Sequence, residues 1–541
     1  MIKIGPVNLE KFLGRISELR RLDKIKSDYV KGYRRNLAVI GPWGIGKTSL
    51  LLKYIHQGLK EELFPVYLNL EEGFLKESFF GFLLFSLRIF SETKGSSFTS
   101  VIDAGKVIEE EFPFLGALVR NIELGQKSGN YEMIWKAIFK IPKVIKNRFN
   151  KNCFFVIDEF FGFDKCKTAS WPQLLREHIM LDEYILFVLM SSDTEKSKTM
   201  LNSELSLLFG NFEIIELSKF SYNESLEFAK ERMKGIKKED KVLDALIFLT
   251  QGMPLYLDLL TNWISDNLSA LNWEGLVLAL RENVLDNKGF FYRYFQEKLS
   301  LSPGIERFQE FLPFIMEVAW GNTKKKDLKE KNLAYAAYNY SMNGFLEKNG
   351  SFYRIKDSLF RIWLLYAYKP DLMGLKLDSE DRMNLVSEEI KRVNNNLSNF
   401  RLRCLKDGIE DIIQNLFLRF ENEFIEFEGR RKLLPGFSVI EKKLDGEKYL
   451  VLEGKKIKGG KWLIVLFTSE VDELCVYKLL SDFKGGLGRY TQKLGILISD
   501  IDDNTKSVLK AKGFWIWDSV FLSKLLEFYG ASGTFNAEHL E

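Results

Sequence analysis

Histidine is scarce in this chain, three among 541 residues, and cysteine is hardly commoner at four. Cys153, Cys166, Cys404 and Cys475 form no C-x-x-C pair, and three histidines cannot complete a zinc site at any familiar spacing. The remaining reading of the cysteines is reduced, mostly buried thiols, as in a cytoplasm. Long apolar runs are also missing. The longest, such as Tyr184 to Met190, fall well short of the roughly 20 residues that a membrane helix needs. No apolar leader of the signal-peptide kind opens the sequence. The expectation is a cytoplasmic protein without a membrane partner. Charge of one sign is absent too: 78 Lys and Arg stand against 74 Asp and Glu, a formal net charge of +4. Any basic surface that meets a polyanion must therefore be local. There is no internal repeat and no low-complexity tract.

What is present is enough apolar material for several cores. Hydrophobic residues make up 46% and aromatics 14%, with 45 Phe. A chain of 541 residues exceeds what a single core spans, so three or four domains are expected.

The most informative stretch is Gly41-Pro42-Trp43-Gly44-Ile45-Gly46-Lys47-Thr48, a full match to G-x-x-x-x-G-K-[ST]. Its glycines let successive backbone N–H groups curl around a phosphate. Lys47 can reach the β- and γ-phosphates of a nucleoside triphosphate, and the Thr48 hydroxyl can ligate Mg²⁺. The flanks fit. Leu37-Ala38-Val39-Ile40 is a short buried-strand pattern, and the residues from Thr48 and Ser49 onward suit a helix. The loop therefore lies between strand and helix, with the phosphates at a helix N-terminus.

A second apolar strand pattern ends in carboxylates: Cys153-Phe154-Phe155-Val156-Ile157-Asp158-Glu159. Asp158 is placed to hold the Mg²⁺ shell and Glu159 to polarise the attacking water. ATP and Mg²⁺ are thus the expected cofactors, and ATP hydrolysis the expected activity.

Further strands are expected at Phe64–Leu70, Tyr184–Met190 and Phe212–Leu217, after an opening helix over roughly Leu9 to Val30. The helices between the strands give the alternation of a parallel α/β sheet. The stretch from about 74 to 150 is long for one crossover and should hold extra helices. From 221 to 300 the pattern is helical, broken at Gly252-Met253-Pro254. From about 304 three helices precede a small hairpin at Asn349-Gly350, the outline of a winged helix. From about 400 a helix leads to three strands, with turns at 444–446 and 458–460, then to alternating helices and strands. The expected domains are 1–220, 221–300, 301–375 and 376–541.

Four blocks of residues resemble the archaeal ATPases of the AAA+/STAND superfamily. Phe12-Leu13-Gly14-Arg15-Ile16-Ser17-Glu18-Leu19 is similar to the family's F-x-G-R-x-x-E-L opening, and the two nucleotide motifs follow. Thr250-Gln251-Gly252-Met253-Pro254-Leu255-Tyr256-Leu257 is similar to the G-G-x-P-x-Y-L segment of its helical lid. Further on, Tyr353 to Trp363 resembles the Y-x-I-x-D-P-L-F-R-x-W segment that ends its winged-helix region. The resemblance covers roughly residues 9 to 370. It implies a P-loop NTPase sheet with a helical lid and a winged-helix domain, with Arg15 and Pro254 beside the nucleotide. It also implies a polar sensor of the γ-phosphate after the fourth strand, Ser191 or Ser192. One departure stands out. The family's P-L-F-G-R is here Leu207-Leu208-Phe209-Gly210-Asn211, which lacks the arginine that can stabilise transition-state charge. Either Arg176 or another arginine substitutes, or turnover is slow, and slow turnover suits a nucleotide switch.

The order of elements after about 400 resembles restriction-endonuclease-like domains of the Mrr and archaeal ATPase-associated type. Active members carry an Asp on the second core strand and E/Q-x-K on the third, where they bind Mg²⁺. Neither Tyr449–Lys455 nor Trp462–Thr468 supplies them in place. Glu453 and Lys455 form an E-x-K one strand early, with Glu441 and Glu410 as further acids. The expectation is a degenerate nuclease fold kept for binding. Two functions compete. One is a slow ATPase switch whose output is a protein partner. The other is a DNA-binding ATPase of repair, defence or mobile elements, in which Lys324-Lys325-Lys326, Lys329, Arg430-Arg431-Lys432, Lys455, Lys456 and Lys458 meet phosphates. The helix Leu333 to Tyr340 offers no Arg or Lys to base edges. The oligomeric state is not legible.

Overall fold

The computed structural model describes residues 12–529 apart from 58, 60–61, 92–102, 167, 169–170, 204–211, 301–307, 322, 325–332, 343, 376, 379, 392, 394–407, 428–429, 447, 468–471, 483–486 and 498–502. The chain divides into two compact units, Lys3–Phe228 with Gly252–Asp258, and Ala229–Gln251 with Leu259 onward.

Runs of consecutive apolar residues suit strands that are covered on both faces, and the first unit is built on five strands, the three central ones of this kind. The five are β1 (Asn36–Ile40), β2 (Leu63–Asn69), β3 (Asn152–Asp158), β4 (Ile185–Ser191) and β5 (Phe212–Glu216). They form one parallel sheet in the order β2-β3-β4-β1-β5. Every residue from Leu37 to Ile40, Cys153 to Ile157 and Ile185 to Met190 is buried. The sheet is that of a P-loop NTPase core, and all five strands lie within two residues of the positions read from sequence.

The long crossover from β2 to β3 does hold extra helices: Lys76–Phe90, Ala104–Glu111, Gly116–Ser128 and Tyr131–Phe149. Phe79 and Phe80, with Trp135 and Phe139, share one core with Phe155 and Phe187 of the sheet. The opening helix begins at Ile16 rather than near Leu9. Gly14 and Arg15 stand at φ 75° and 58°, which a right-handed helix cannot run through. Residues 9–11 lie outside the described residues.

From 221 to 300 the helices are Tyr222–Arg232, Asp240–Thr250, Pro254–Asn267, Trp273–Leu280 and Phe290–Ser300. Two-residue strands β6 (Lys237–Lys238) and β7 (Ala270–Leu271) pair in parallel among them. Helices Phe308–Ala319 and Leu333–Met342 then precede the antiparallel hairpin of β8 (Leu346–Asn349) and β9 (Phe352–Ile355). Two helices are described before the hairpin where three are expected.

The C-terminal part corrects the sequence reading in one respect. The helix Gly408–Leu418 leads first to a separate hairpin, β10 (Glu423–Phe427) with β11 (Arg430–Leu434). Arg430-Arg431-Lys432 reads as a charge cluster, yet its backbone is a strand. Arg431 lies over the Phe424 ring at 4.0 Å and Lys432 over Trp515 at 4.6 Å. The main sheet follows: β12 (Phe437–Asp445), β13 (Tyr449–Lys456), β14 (Lys461–Phe467), β15 (Gln492–Leu497) and β16 (Phe514–Trp517), in that order. β13 runs antiparallel to both neighbours, while β14, β15 and β16 are parallel. Helices Glu473–Asp482, Asp503–Ala511 and Ser519–Phe528 alternate with the last strands.

The β8–β9 hairpin is joined to this C-terminal part of the second unit. The Ser351 N–H donates to the Phe424 carbonyl at 2.7 Å, and Asn349 exchanges two hydrogen bonds with the Glu426 backbone. Gly350 sits at φ 58°, and a Cβ there would lie 2.0 Å from the Phe424 oxygen. Phe352 is fully buried in the core of the C-terminal domain, beside Phe528 and Tyr529. Lys324, whose backbone bridges Phe352, reaches Glu421 and Glu423.

Candidate nucleotide and metal site

Parallel strands align their C-terminal ends, so the loops that leave them converge. Residues 41–48 leave β1 and enter the helix Lys47–Gln57. Gly44 and Gly46 take φ 80° and 95°, which turn the chain sharply enough to bring the helix N-terminus over the strand. Lys47 is buried. Its ammonium donates to the Gly41 carbonyl and to Ser192 Oγ, each at 2.9 Å, and stands 3.4 Å from Glu159 Oε1.

β3 delivers the acids. Thr48 Oγ1 donates to Asp158 Oδ2 at 2.8 Å, so the two expected metal ligands touch. Asp158 Oδ1 is buried and has no hydrogen-bond partner among the described residues. Burial pushes the Asp158 carboxyl up to about 6. Glu159 adds to the rise, while Tyr67, Thr48 and Lys47 oppose it. A buried carboxylate oxygen without a donor is costly, and a cation is the group that would relieve it. Hard oxygen donors of this kind suit Mg²⁺, so Thr48 and Asp158 fit the metal that the motif implies.

Glu159 takes φ 50°, an uncommon conformation for a residue with a side chain. Its carboxylate is turned to Ser192, whose N–H donates to Oε2 at 2.9 Å and whose hydroxyl donates to Oε1. Of the two sensor candidates, Ser192 is therefore the one joined to Lys47 and Glu159. Ser191 Oγ instead accepts the Asp193 N–H at 3.0 Å, a local turn.

Arg15 is brought to the loop, but by its backbone carbonyls. One nitrogen of the buried guanidinium donates to Ser218 O at 2.6 Å and Ile45 O at 3.2 Å, and the group lies 4.8 Å from the Phe220 ring. It ties the phosphate loop to the chain after β5. The Gly252–Asp258 segment also reaches the loop. The Leu255 N–H donates to Gly44 O at 3.2 Å, one residue after Pro254 opens its helix. Gly252, at φ 68°, accepts from the Phe220 N–H, and a Cβ there would lie 2.2 Å from the Phe220 oxygen.

Trp43, half-buried, donates from Nε1 to Glu71 at 3.2 Å. Gly41, Pro42, Ile45 and Ser49 complete the loop and its entry to the helix. Leu207 to Asn211 includes only residues outside the described ones. Arg176, its proposed substitute, lies half-buried in the helix Trp171–Leu181.

Sequence reasoning missed Tyr67, whose hydroxyl donates to Asp158 Oδ2 at 2.7 Å. No sequence signal marks it, since β2 is buried along nearly its whole length and shows no alternation. Asn69 is the register partner of Asp158, and Tyr67 lies two residues earlier on the same face.

No family model matches the chain, and no curated protein matches it. Among solved structures it is similar to the Walker-type ATPase PABY2304 of Pyrococcus abyssi, at 14% identity and TM-score 0.40, over 66% of this chain and 96% of that one. It is also similar to the RuvB Holliday junction branch migration motor of Thermotoga maritima, at 13% identity and TM-score 0.33, over 69% and 99% of the two chains. Cdc6p of Pyrobaculum aerophilum gives 14% and 0.34, over 71% and 97%. The core assignment rests on the strand order and the loop itself.

The C-terminal acids are brought together only in part. Glu441 and Glu453 are register partners on β12 and β13. Glu453 is buried and accepts from Lys461 at 2.8 Å and Tyr490 at 3.2 Å. Glu441 accepts from Lys443 and Lys455, which hold its carboxyl at about 2. Glu410, by contrast, pairs with Lys442 at 2.6 Å. Its helix packs on the sheet face of Leu450 and Leu452, whereas Val451 and Leu463, on the face of Glu453, belong to the other core. The acids are divided between two faces, and among the described residues no group of three could hold a metal.

Proposed function

We propose that this chain is a Mg²⁺-dependent, slow ATPase of the AAA+/STAND type that works as a nucleotide switch. The observation that carries the reading is the joined constellation Lys47–Ser192–Glu159 beside Thr48–Asp158. Lys47 exchanges the Gly41 carbonyl for phosphate oxygens when ATP binds, and the loop N–H groups take the rest of the charge. The metal, when bound, offsets the charge that develops on the phosphates. Glu159 orients water, but only after leaving Ser192, so resting turnover is low. Ser192, released in the same step, meets the γ-phosphate. The lack of an arginine at Asn211 also supports slow hydrolysis. Closure around Gly252 to Tyr256 couples nucleotide state to the rest of the chain.

In the same reading, residues 301–375 are a winged helix and 376–541 a degenerate nuclease domain. The order helix, three strands, helix, strand, helix, strand, helix supports the second, apart from the added β10–β11 hairpin. The division of its acids between two faces, with lysines on Glu441 and Glu453, supports a domain that does not cut. The wing hairpin is occupied by β10, which favours a protein partner over duplex DNA. Binding of ATP and ADP by the wild type and by Lys47→Ala tests the reading. Loss of binding in the variant by about 100-fold or more is expected, about 2.7 kcal/mol. Equal affinity would place the nucleotide elsewhere.

A further inference from the structure

Asp158 is held from two sides. Thr48, part of the phosphate-loop motif, donates to Oδ2 at 2.8 Å, and Tyr67, outside every motif, donates to the same oxygen at 2.7 Å. Both donors thus converge on one oxygen and leave the buried Oδ1 without a partner among the described residues. A carboxylate with a single anchor can rotate about its Cβ–Cγ bond, whereas two O–H donors on one oxygen fix its plane. Outer-shell donors of this kind orient metal-binding carboxylates. Tyr67 is itself packed in place, buried in β2 with its ring 5.2 Å from that of Phe82. Thr48 keeps its own lone pairs for a ligand role, because a hydroxyl that donates can still accept.

We propose that Tyr67 is a positioning residue for the divalent cation: its phenol locks the Asp158 carboxylate so that Oδ1 remains the ligand oxygen. This rests on the reading of Thr48 and Asp158 as the metal site. The alternative is a core tyrosine whose hydroxyl merely found an acceptor. The two differ in what the hydroxyl does for a metal, since a phenylalanine ring at the same position would fill the same space.

The test uses the full chain as wild type, Tyr67→Phe and Thr48→Ala. Mn²⁺ is titrated into the ADP-saturated protein and free Mn²⁺ is followed by electron paramagnetic resonance. Binding of a fluorescent ATP analogue is measured separately in EDTA. Tyr67→Phe should weaken Mn²⁺ by about tenfold or more and leave metal-free nucleotide affinity within about threefold. In an Asp158→Asn background the same change should cost no further Mn²⁺ affinity, as expected for residues that act through one another. Mn²⁺ affinity within about twofold of wild type, while Thr48→Ala loses it, would overturn the proposal. So would a Tyr67→Phe variant that loses nucleotide in EDTA as well, since the tyrosine would then be support for the core. A wild type that binds no nucleotide would instead sink the site reading beneath it.

Discussion

Replacing Phe352 by alanine removes a side chain that belongs to one module by sequence and to another by packing. The ring is fully buried, with centroids 5.1 Å from both Phe528 and Tyr529. Burial of this kind makes Phe→Ala cost about 3–5 kcal/mol, transfer and cavity terms together. The two ring pairs push towards the upper end, since each is worth about 1 kcal/mol beyond area. Phe352→Leu, which keeps most of the volume, should cost about 1–1.5 kcal/mol. Tyr338, 61% exposed, supplies the control: its alanine variant should stay within about 0.5 kcal/mol. Urea unfolding with hydrogen exchange read by mass spectrometry is the assay. Because the hairpin and the C-terminal sheet share a core, protection should fall in β13 and β14 as well as in β8 and β9. A loss below about 1.5 kcal/mol, or one confined to the hairpin, would refute the shared core.

Three other outcomes follow from the geometry. Arg15→Ala leaves the Ile45 and Ser218 carbonyls without their charged donor, so the first unit should lose about 3 kcal/mol, and ATP affinity should fall with it. An unchanged melt would mean that water serves those carbonyls equally well. Ser192→Ala keeps the backbone N–H on Glu159 but loses the hydroxyl that meets the γ-phosphate, so the hydrolysis rate should fall tenfold or more with ATP affinity nearly intact, and a rate equal to or above wild type would remove Ser192 from the chemistry. Glu347 tests acid stability. Burial alone would raise its carboxyl, but Arg354 and Lys524 outweigh that and hold it below the usual value. A depressed carboxyl stabilises the fold above the unfolded value, about 4.3, and this contribution is lost as pH falls through the folded one. Glu347→Gln should therefore flatten the acid limb of a stability–pH curve, and an identical limb would contradict the pairing.

The nucleotide core was legible because its residues are local in sequence. Ala38 to Ile40 and Phe154 to Ile157 announce buried strands, and the loop and Asp158 follow them directly. What escaped was set by neighbours far along the chain. Tyr67 reads as one apolar strand residue until register places it beside Asp158. Glu410, Glu441 and Glu453 form a plausible triad in the sequence. Glu441 and Glu453 pair across β12 and β13, but the helix that carries Glu410 packs on the other face of the sheet. Arg430-Arg431-Lys432 has the composition of a solvated patch, and Arg430 and Arg431 are exposed, but its pairing with β10 and the stacking on Phe424 and Trp515 depend on distant residues. The joining of the β8–β9 hairpin to β10 could not be read at all, since Gly350 and Phe424 are 74 positions apart.

The proposed slow, nucleotide-governed switch rests on Lys47, Asp158 and Glu159. The most direct measurement is the steady-state ATPase rate of the full chain, with Glu159→Gln as the blank, alone and with single- and double-stranded DNA. The expected result is a slow, Mg²⁺-dependent rate, abolished in Glu159→Gln and indifferent to either DNA. Strong stimulation by DNA would contradict it and make the chain a nucleic-acid-coupled ATPase.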